Sequence, residues 1–293
     1  MAPEIGWGLR FREYMNGVRI ANGIPPPDTG STYDSAMRTL EDVPAGRPLS
    51  ISATLFVTYQ QCPQQALARV QGIYGPPSRA SFKGLLAHRV FARHLNEGPI
   101  APDDLGQVCR EETGASLTPQ FTELGLKPSQ FRAVVTEVSE LYDRFQAMPT
   151  AGFERAEAPF EMELESDVSV RGRMDAVFAD PDGQRIVDWK TGKELGDETA
   201  DQLAFYAWAW KIAHGEAPVR TEAMSVTTGE RLVRQYSDRD LGQFEERVVA
   251  MVIALREAEE RGTELERTGG PHCTWCPLLD DCAEGATATA MLG

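Results

Sequence analysis

The chain has 293 residues, 42% of them hydrophobic and 25% charged, enough to bury a sizeable core and too ordinary for a disordered polymer. Its 44 acidic against 29 basic residues give a formal charge of −15, which taken alone argues against a phosphate-rich partner. The longest apolar run, Val248 to Leu255, is far short of the roughly 20 residues that span a bilayer, and Met1 to Ile5 carries no basic and apolar leader, so a soluble, cytoplasmic protein with no membrane partner is expected.

Residues 1–50 contain Gly23-Ile24-Pro25-Pro26-Pro27-Asp28-Thr29-Gly30, turn and polyproline material, and read as an N-terminal extension ahead of one domain over 51–293. Ser52 to Val70 starts on an N-cap residue and carries apolar residues at helical spacing, interrupted at Cys62-Pro63, where the proline suits the start of a second helix. Tyr74 to Ala80 is a loop, and Lys83 to Leu95 a helix with Leu85, His88, Ala92 and Leu95 on one face. A Pro/Gly break at Glu97 to Asp104 precedes further helical sequence, clearest from Pro128 to Met148, which predicts a helical insertion over about 97–150.

The pattern then changes to strands. Phe160 to Glu165 alternates strictly, Arg171 to Ala179 is a second strand, Asp180-Pro181-Asp182-Gly183 a turn, and Arg185 to Lys190 a third strand ending at Thr191-Gly192. Asp201 to His214 is an apolar helix, Ala223 to Tyr236 two short strands, and Leu241 to Arg261 a long amphipathic helix. This order predicts an α/β fold.

The charge is segregated by sign. Between Val43 and Asn96 there is no Asp or Glu, where uniform mixing would place about eight, yet Arg47, Arg69, Arg79, Lys83, Arg89 and Arg93 all fall there. The bland explanation is a core-rich segment that lacks acids by chance; the functional one is a phosphate-facing surface.

On the third strand Asp188 and Lys190 are two apart and leave one face, while Val187 and Trp189 leave the other. The short turn makes this strand an antiparallel partner of the preceding one, which brings Asp175 close to Asp188. Two carboxylates beside a lysine can hold Mg²⁺ or Mn²⁺, activate a water and neutralise charge on a phosphoryl oxygen, a combination suited to phosphodiester hydrolysis. A lone D-x-K triplet is more often a hairpin salt bridge.

The surrounding residues resemble a family. Gly172-Arg173-Met174-Asp175, Val187-Asp188-Trp189-Lys190-Thr191-Gly192 and Gln202-Leu203-Ala204-Phe205-Tyr206, with Gly84-Leu85-Leu86-Ala87-His88 upstream, are similar to the motifs of the PD-(D/E)xK nucleases, in the branch of the RecB and AddB nuclease domains and the Cas4 exonucleases. The resemblance implies a restriction-endonuclease-like core, a central mixed sheet flanked by helices. It implies that His88, Asp175, Asp188 and the carbonyl of Trp189 bind the metal, that Lys190 is catalytic with Asp175 and Asp188, and that Gln202 and Tyr206, one turn apart, orient the lysine and the DNA. Each of these residues taken singly has a structural explanation, a packed histidine or a helix edge; their joint order is what carries the resemblance.

Four cysteines remain: Cys62, then Cys273, Cys276 and Cys282 in C-x-x-C-x-x-x-x-x-C spacing, with Tyr59-Gln60-Gln61-Cys62-Pro63 resembling the Y-x-x-C-P box of the AddB and Cas4 nucleases. Four thiolates suit Zn²⁺ or an iron-sulfur cluster, and the resemblance implies a [4Fe-4S] cluster held by a C-terminal segment over 268–293. Cys109 has no place in this pattern and is expected to be buried. In the family geometry Arg79, Lys83, Arg89 and Arg93 are candidate phosphate contacts, and Tyr59 and Tyr74 could stack on unpaired bases. The expectation is a metal-dependent DNA exonuclease acting on single strands or ends in repair, recombination or phage DNA processing. The alternatives are a Cas4-type nuclease of CRISPR adaptation or a non-catalytic DNA-end-binding subunit, and the candidate partners besides DNA are a helicase or the CRISPR adaptation proteins. The sequence does not fix an oligomeric state.

Overall fold

The computed structural model describes residues 39–292 apart from 165, 193 and 194, so most of the expected N-terminal extension lies outside the described residues. Six strands form one mixed sheet: β1 (Leu49–Ile51), β2 (Phe153–Glu163), β3 (Val168–Asp180), β4 (Gly183–Lys190), β5 (Arg220–Ser225) and β6 (Arg231–Arg234). Its order is β1-β3-β4-β5-β6, with β2 paired to the other edge of β3. β3 and β4 are the antiparallel hairpin that Asp180 to Gly183 predicts, and β5 joins β4 in parallel after a helical crossover.

Helix α1 (Ala53–Gln61) is capped by Ser52, whose Oγ accepts from the Leu55 N–H at 3.2 Å, and it stops at an extended Cys62. Pro63 then opens α2 (Pro63–Val70), where its missing N–H costs nothing. Helix α3 (Arg79–Glu97) begins earlier than the sequence reading and buries a different face: Phe82, Leu86 and Val90, spaced by four, are covered, whereas Leu85 is 42% exposed. The helical lobe follows as α4 (Leu105–Ser116), α5 (Thr118–Leu124) and α6 (Pro128–Phe145). α7 (Asp197–His214) is the crossover, α8 (Asp238–Arg261) the long amphipathic helix, and α9 (Ala283–Leu292) a C-terminal helix whose four alanines favour it.

Strand alternation divides the core in two. Val177 and Ile186 pack beneath α1, α7 and α8 with Phe56, Phe205, Trp208 and Phe244. On the opposite face Phe178, Val187 and Trp189 pack against α3 and the helical lobe, where Phe145 stacks on Phe91 at 4.2 Å and meets the Trp189 ring edge-on. Arg256 of α8 ties the chain before β1 to the β2–β3 turn by donating to the carbonyls of Pro44, Arg47, Ser166 and Asp167 at 2.6–3.1 Å. Among the described residues no helix is long and apolar enough to cross a membrane.

Candidate active site

β3 has two unequal edges. β2 follows one edge from Ser169 to Phe178, while the other is taken by β1 at Val168–Val170 and by β4 from Ala176 onward. Residues 171–175 on that second edge therefore have no strand partner among the described residues. The β3–β4 ladder ends at the pair Ala176 and Val187, and one step further Asp175 and Asp188 face each other across the splayed strands. In place of a ladder bond the Trp189 N–H donates to Asp175 Oδ2 at 2.8 Å, so Trp189 enters the site through its backbone while its ring lies in the core.

A third acid extends this row. Glu157 on β2 falls between the pairs Ala156–Ala176 and Ala158–Met174, which sets it opposite Asp175. Its φ of 50° is left-handed, a conformation that costs a non-glycine residue about 1 kcal/mol or more and persists where the surroundings enforce it. The sequence reading missed Glu157 because it began this strand after Pro159. A proline is tolerated here because β2 is an edge strand, and extending the alternation back through it would have found the acid.

On the next residue of that face, Lys190 Nζ lies 2.9 Å from Asp188 Oδ2 and donates to Gln202 Oε1 of α7. Because lysine only donates, the Gln202 amide must turn its oxygen to Lys190 and its nitrogen away. That nitrogen donates both to Asp188 Oδ1 at 3.0 Å and to the Tyr206 hydroxyl at 2.9 Å. The helical i, i+4 spacing of Gln202 and Tyr206 makes the double contact feasible. Burial, followed by the nearby Asp188 and Asp175, pushes the Tyr206 phenol well above its ordinary value, so it stays neutral.

His88 of α3 completes the ring with Nδ1 3.0 Å from Asp175 Oδ1. Burial alone would lower its pKa, but Asp175, Asp188 and Glu157 outweigh that and push it up to about 9. One donor atom from each of His88, Glu157 and Asp175 falls within 4.8 Å of the others. Asp188 Oδ2 is buried and makes no aligned hydrogen bond, and burial raises the Asp188 carboxyl despite Lys190. Three neighbouring carboxylates and one imidazole, with Asp188 Oδ2 facing only the Lys190 ammonium, fit a hard divalent cation.

The comparison with known families agrees with this geometry. Over residues 50–283 the sequence matches the PD-(D/E)XK nuclease superfamily. The chain belongs to that superfamily. Among solved structures, one described as "Putative exonuclease" from Eubacterium rectale aligns over 79% of this chain and 87% of that one, at 14% identity and a TM-score of 0.50. The protein SSO0001 aligns over 94% and 93% at 12% identity and a TM-score of 0.39. No curated protein sequence matches. Nucleases of this superfamily typically use Mg²⁺ or Mn²⁺, in keeping with the oxygen-rich donor set.

Within this nuclease the basic residues singled out from the sequence are not equivalent. Arg89 donates to Glu157 at 2.8 Å, and Arg173, on the open edge of β3 and missed by the sequence reading, donates to the same carboxylate at 2.7 Å. Arg79 and Lys83 share Glu137 of α6. Arg93 faces the helical lobe and is held by Glu97, Glu111 and Glu112.

Cys62, Cys273, Cys276 and Cys282 line one cavity, all as free thiols, while Cys109 is buried in the helical-lobe core. Within the cavity the Gly270 N–H points at Cys273 Sγ (3.4 Å) and the Gly285 N–H at Cys282 Sγ (3.3 Å). Burial, and then the other three cysteines, push the Cys276 thiol upward. No three of these sulfurs lie within 4.8 Å of one another.

Proposed function

We propose that this nuclease is a divalent-metal-dependent deoxyribonuclease that removes nucleotides from single strands or DNA ends. The observation that carries the reading is the row Glu157, Asp175 and Asp188 across three strands, open on one edge and closed by Lys190 and His88. His88, Glu157, Asp175, Asp188 and the Trp189 carbonyl would hold Mg²⁺ or Mn²⁺. Bound there, the cation supplies polarisation of a phosphoryl oxygen and a lowered pKa for water.

The remaining steps belong to the chain. Lys190 presents its ammonium to the charge that develops on the phosphoryl oxygens, and Gln202 fixes where that ammonium sits. Tyr206 stays neutral and anchors the Gln202 amide. Arg89 and Arg173 hold positive charge beside Glu157, where a flanking phosphate can be met. Arg79 and Lys83 are further candidates for phosphates along α3, and Arg93, engaged by three carboxylates, is the weakest of the four. The preference for strands or ends follows the resemblance of the His88, Asp175, Lys190 and Gln202-to-Tyr206 motifs to exonucleases. A Cas4-type role would use the same residues and differ in its partners, as would association with a helicase.

The cluster reading is that Cys62, Cys273, Cys276 and Cys282, which line one cavity and two of whose sulfurs accept backbone N–H donors, would hold a [4Fe-4S] cluster, with Zn²⁺ as the alternative for four thiolates. A reducing compartment such as the cytoplasm would keep these thiols available. In this reading 51–293 act as one nuclease unit, with 97–150 as its helical lobe and 268–293 closing the cluster site.

The test is anaerobic protein with end-labelled single- and double-stranded DNA in Mg²⁺ or Mn²⁺, beside Lys190→Ala. Shortening of the label by the wild type and a fall of about 100-fold or more in the variant are expected. Binding without cleavage in either metal would replace the reading with a DNA-end-binding subunit.

A further inference from the structure

Few large apolar side chains among the described residues are exposed, and the two aromatic ones, Tyr74 at 63% and Trp275 at 57%, lie on two segments whose backbones touch. These are the loop after α2 and the turn that carries Cys273 and Cys276. A side chain at Gly75 would lie 2.1 Å from the Trp275 carbonyl oxygen, so only glycine allows the two backbones to close. Tyr74 is thus one residue from the contact and Trp275 is the contact itself. Neither ring is used by the cysteine cavity or by the catalytic row.

The charge around Tyr74 is also distinctive. Of the six bases in the acid-free stretch, five are paired to carboxylates brought from elsewhere in the fold: Arg47, Arg79, Lys83, Arg89 and Arg93. Arg69 has no carboxylate partner among the described residues, and its guanidinium lies 5.7 Å from the centre of the Tyr74 ring. The turn that ends α2 holds the two together, with the Ile73 N–H donating to the Ala68 carbonyl at 2.8 Å. Two exposed rings, one of them with a guanidinium over it that no carboxylate among the described residues holds, match the parts by which proteins grip unpaired bases and their phosphates. A protein partner would need no such cation on the ring, and duplex DNA keeps its base faces stacked out of reach.

From this junction α3 leads to the catalytic row. Arg79 starts the helix and His88 lies nine residues on, about 14 Å along its axis, with the exposed Leu85 between them.

We propose that Tyr74, Trp275 and Arg69 form a stacking site for an unpaired nucleic-acid strand, a few nucleotides from the scissile phosphate. The inference rests on the nuclease reading and names the part of its substrate that is held away from the chemistry. The site ties strand binding to the integrity of the cysteine cavity, since Trp275 stands between Cys273 and Cys276.

The test uses the full chain in a Lys190→Ala background with Mg²⁺, so that strands bind without being cut, and reads the fluorescence anisotropy of a labelled oligothymidine and of a blunt duplex. Tyr74→Ala and Trp275→Ala are each expected to weaken oligothymidine binding at least fivefold. Tyr74→Phe and Trp275→Phe should stay near the parent because the ring face survives, and duplex affinity should change less than that for the strand. Thermal melts confirm that each variant is folded. Strand affinity unchanged in the Tyr74→Ala/Trp275→Ala double variant, while wild-type protein still cleaves DNA, overturns this site alone and leaves the patch to a protein partner. Wild-type protein that neither binds nor cleaves any strand overturns both readings.

Discussion

Gln202→Ala isolates what positioning is worth in this site. Gln202 is half-buried and is not itself among the expected cation ligands, yet its amide connects Lys190, Asp188 and Tyr206 in one arrangement. With the amide removed, the ammonium has Asp188 Oδ2 2.9 Å away as its nearest partner and will fall onto it. A hydrogen bond to a charged group contributes about 1.5–3 kcal/mol, and if the Lys190 contact is felt only in the transition state, kcat should fall about 10- to 150-fold. Tyr206→Phe removes a single hydroxyl acceptor and should cost about two- to tenfold. The Mg²⁺ concentration for half-maximal rate should move little in Tyr206→Phe, where His88, Glu157, Asp175 and Asp188 keep their contacts, and should rise in Gln202→Ala, where Asp188 loses its amide donor and Lys190 competes for it. Single-turnover cleavage of end-labelled DNA across a Mg²⁺ series measures both quantities. A Gln202→Ala rate within twofold of wild type, or a larger loss for Tyr206→Phe, would refute the argument that the amide places the lysine.

Other predictions concern the scaffold. Burial alone would raise the carboxyl of Glu222, but Arg220, Arg231 and Arg185 hold it below the usual range. The stability it contributes is therefore present above the unfolded glutamate pKa and is lost as pH falls through the folded one. Glu222→Gln should lower stability by about 3–5 kcal/mol near neutrality and flatten the acid limb of the melting curve. Arg256→Met strips four carbonyls of their donor and should destabilise by at least about 3 kcal/mol, read as a lower urea midpoint. If the cavity holds the proposed cluster, Cys62→Ser should abolish iron content and visible absorbance. Opening a loop of more than 200 residues should also cost up to about 5 kcal/mol by chain entropy; a variant of unchanged stability would separate the cavity from the fold.

What the sequence made legible and what it hid divide along chain separation. The β3–β4 hairpin, the proline break between α1 and α2 and the juxtaposition of Asp175 with Asp188 depend on residues within about a dozen positions of each other, where period and turn chemistry act. Glu157 escaped because one proline and one left-handed residue interrupted the alternation, although both are compatible with an edge strand. The buried face of α3 was misread because His88, a site residue, was counted as part of the core stripe; Phe82, Leu86 and Val90 are the stripe.

The acid-free stretch shows why sign segregation along a chain is not a surface. Its bases seemed open to phosphates, yet Glu137 answers Arg79 and Lys83 from α6, Glu157 answers Arg89 from β2, and Glu259 answers Arg47 from α8. Each partner lies more than 50 residues away, beyond any local pattern. The neutralised pairs do not remove the stretch from DNA binding, because an exposed ion pair contributes only about 0–1 kcal/mol and a phosphate can displace the carboxylate. They do set a threshold. Arg69 can meet a phosphate without breaking a pair, whereas Arg93 must leave three carboxylates. Affinity for DNA in this acidic protein should therefore be lost first at Arg69 and last at Arg93 in a series of single Ala substitutions, with a smaller salt dependence in the Arg69→Ala protein. An Arg93→Ala loss equal to that of Arg69→Ala would show that pairing in the free protein does not govern which bases the nucleic acid recruits.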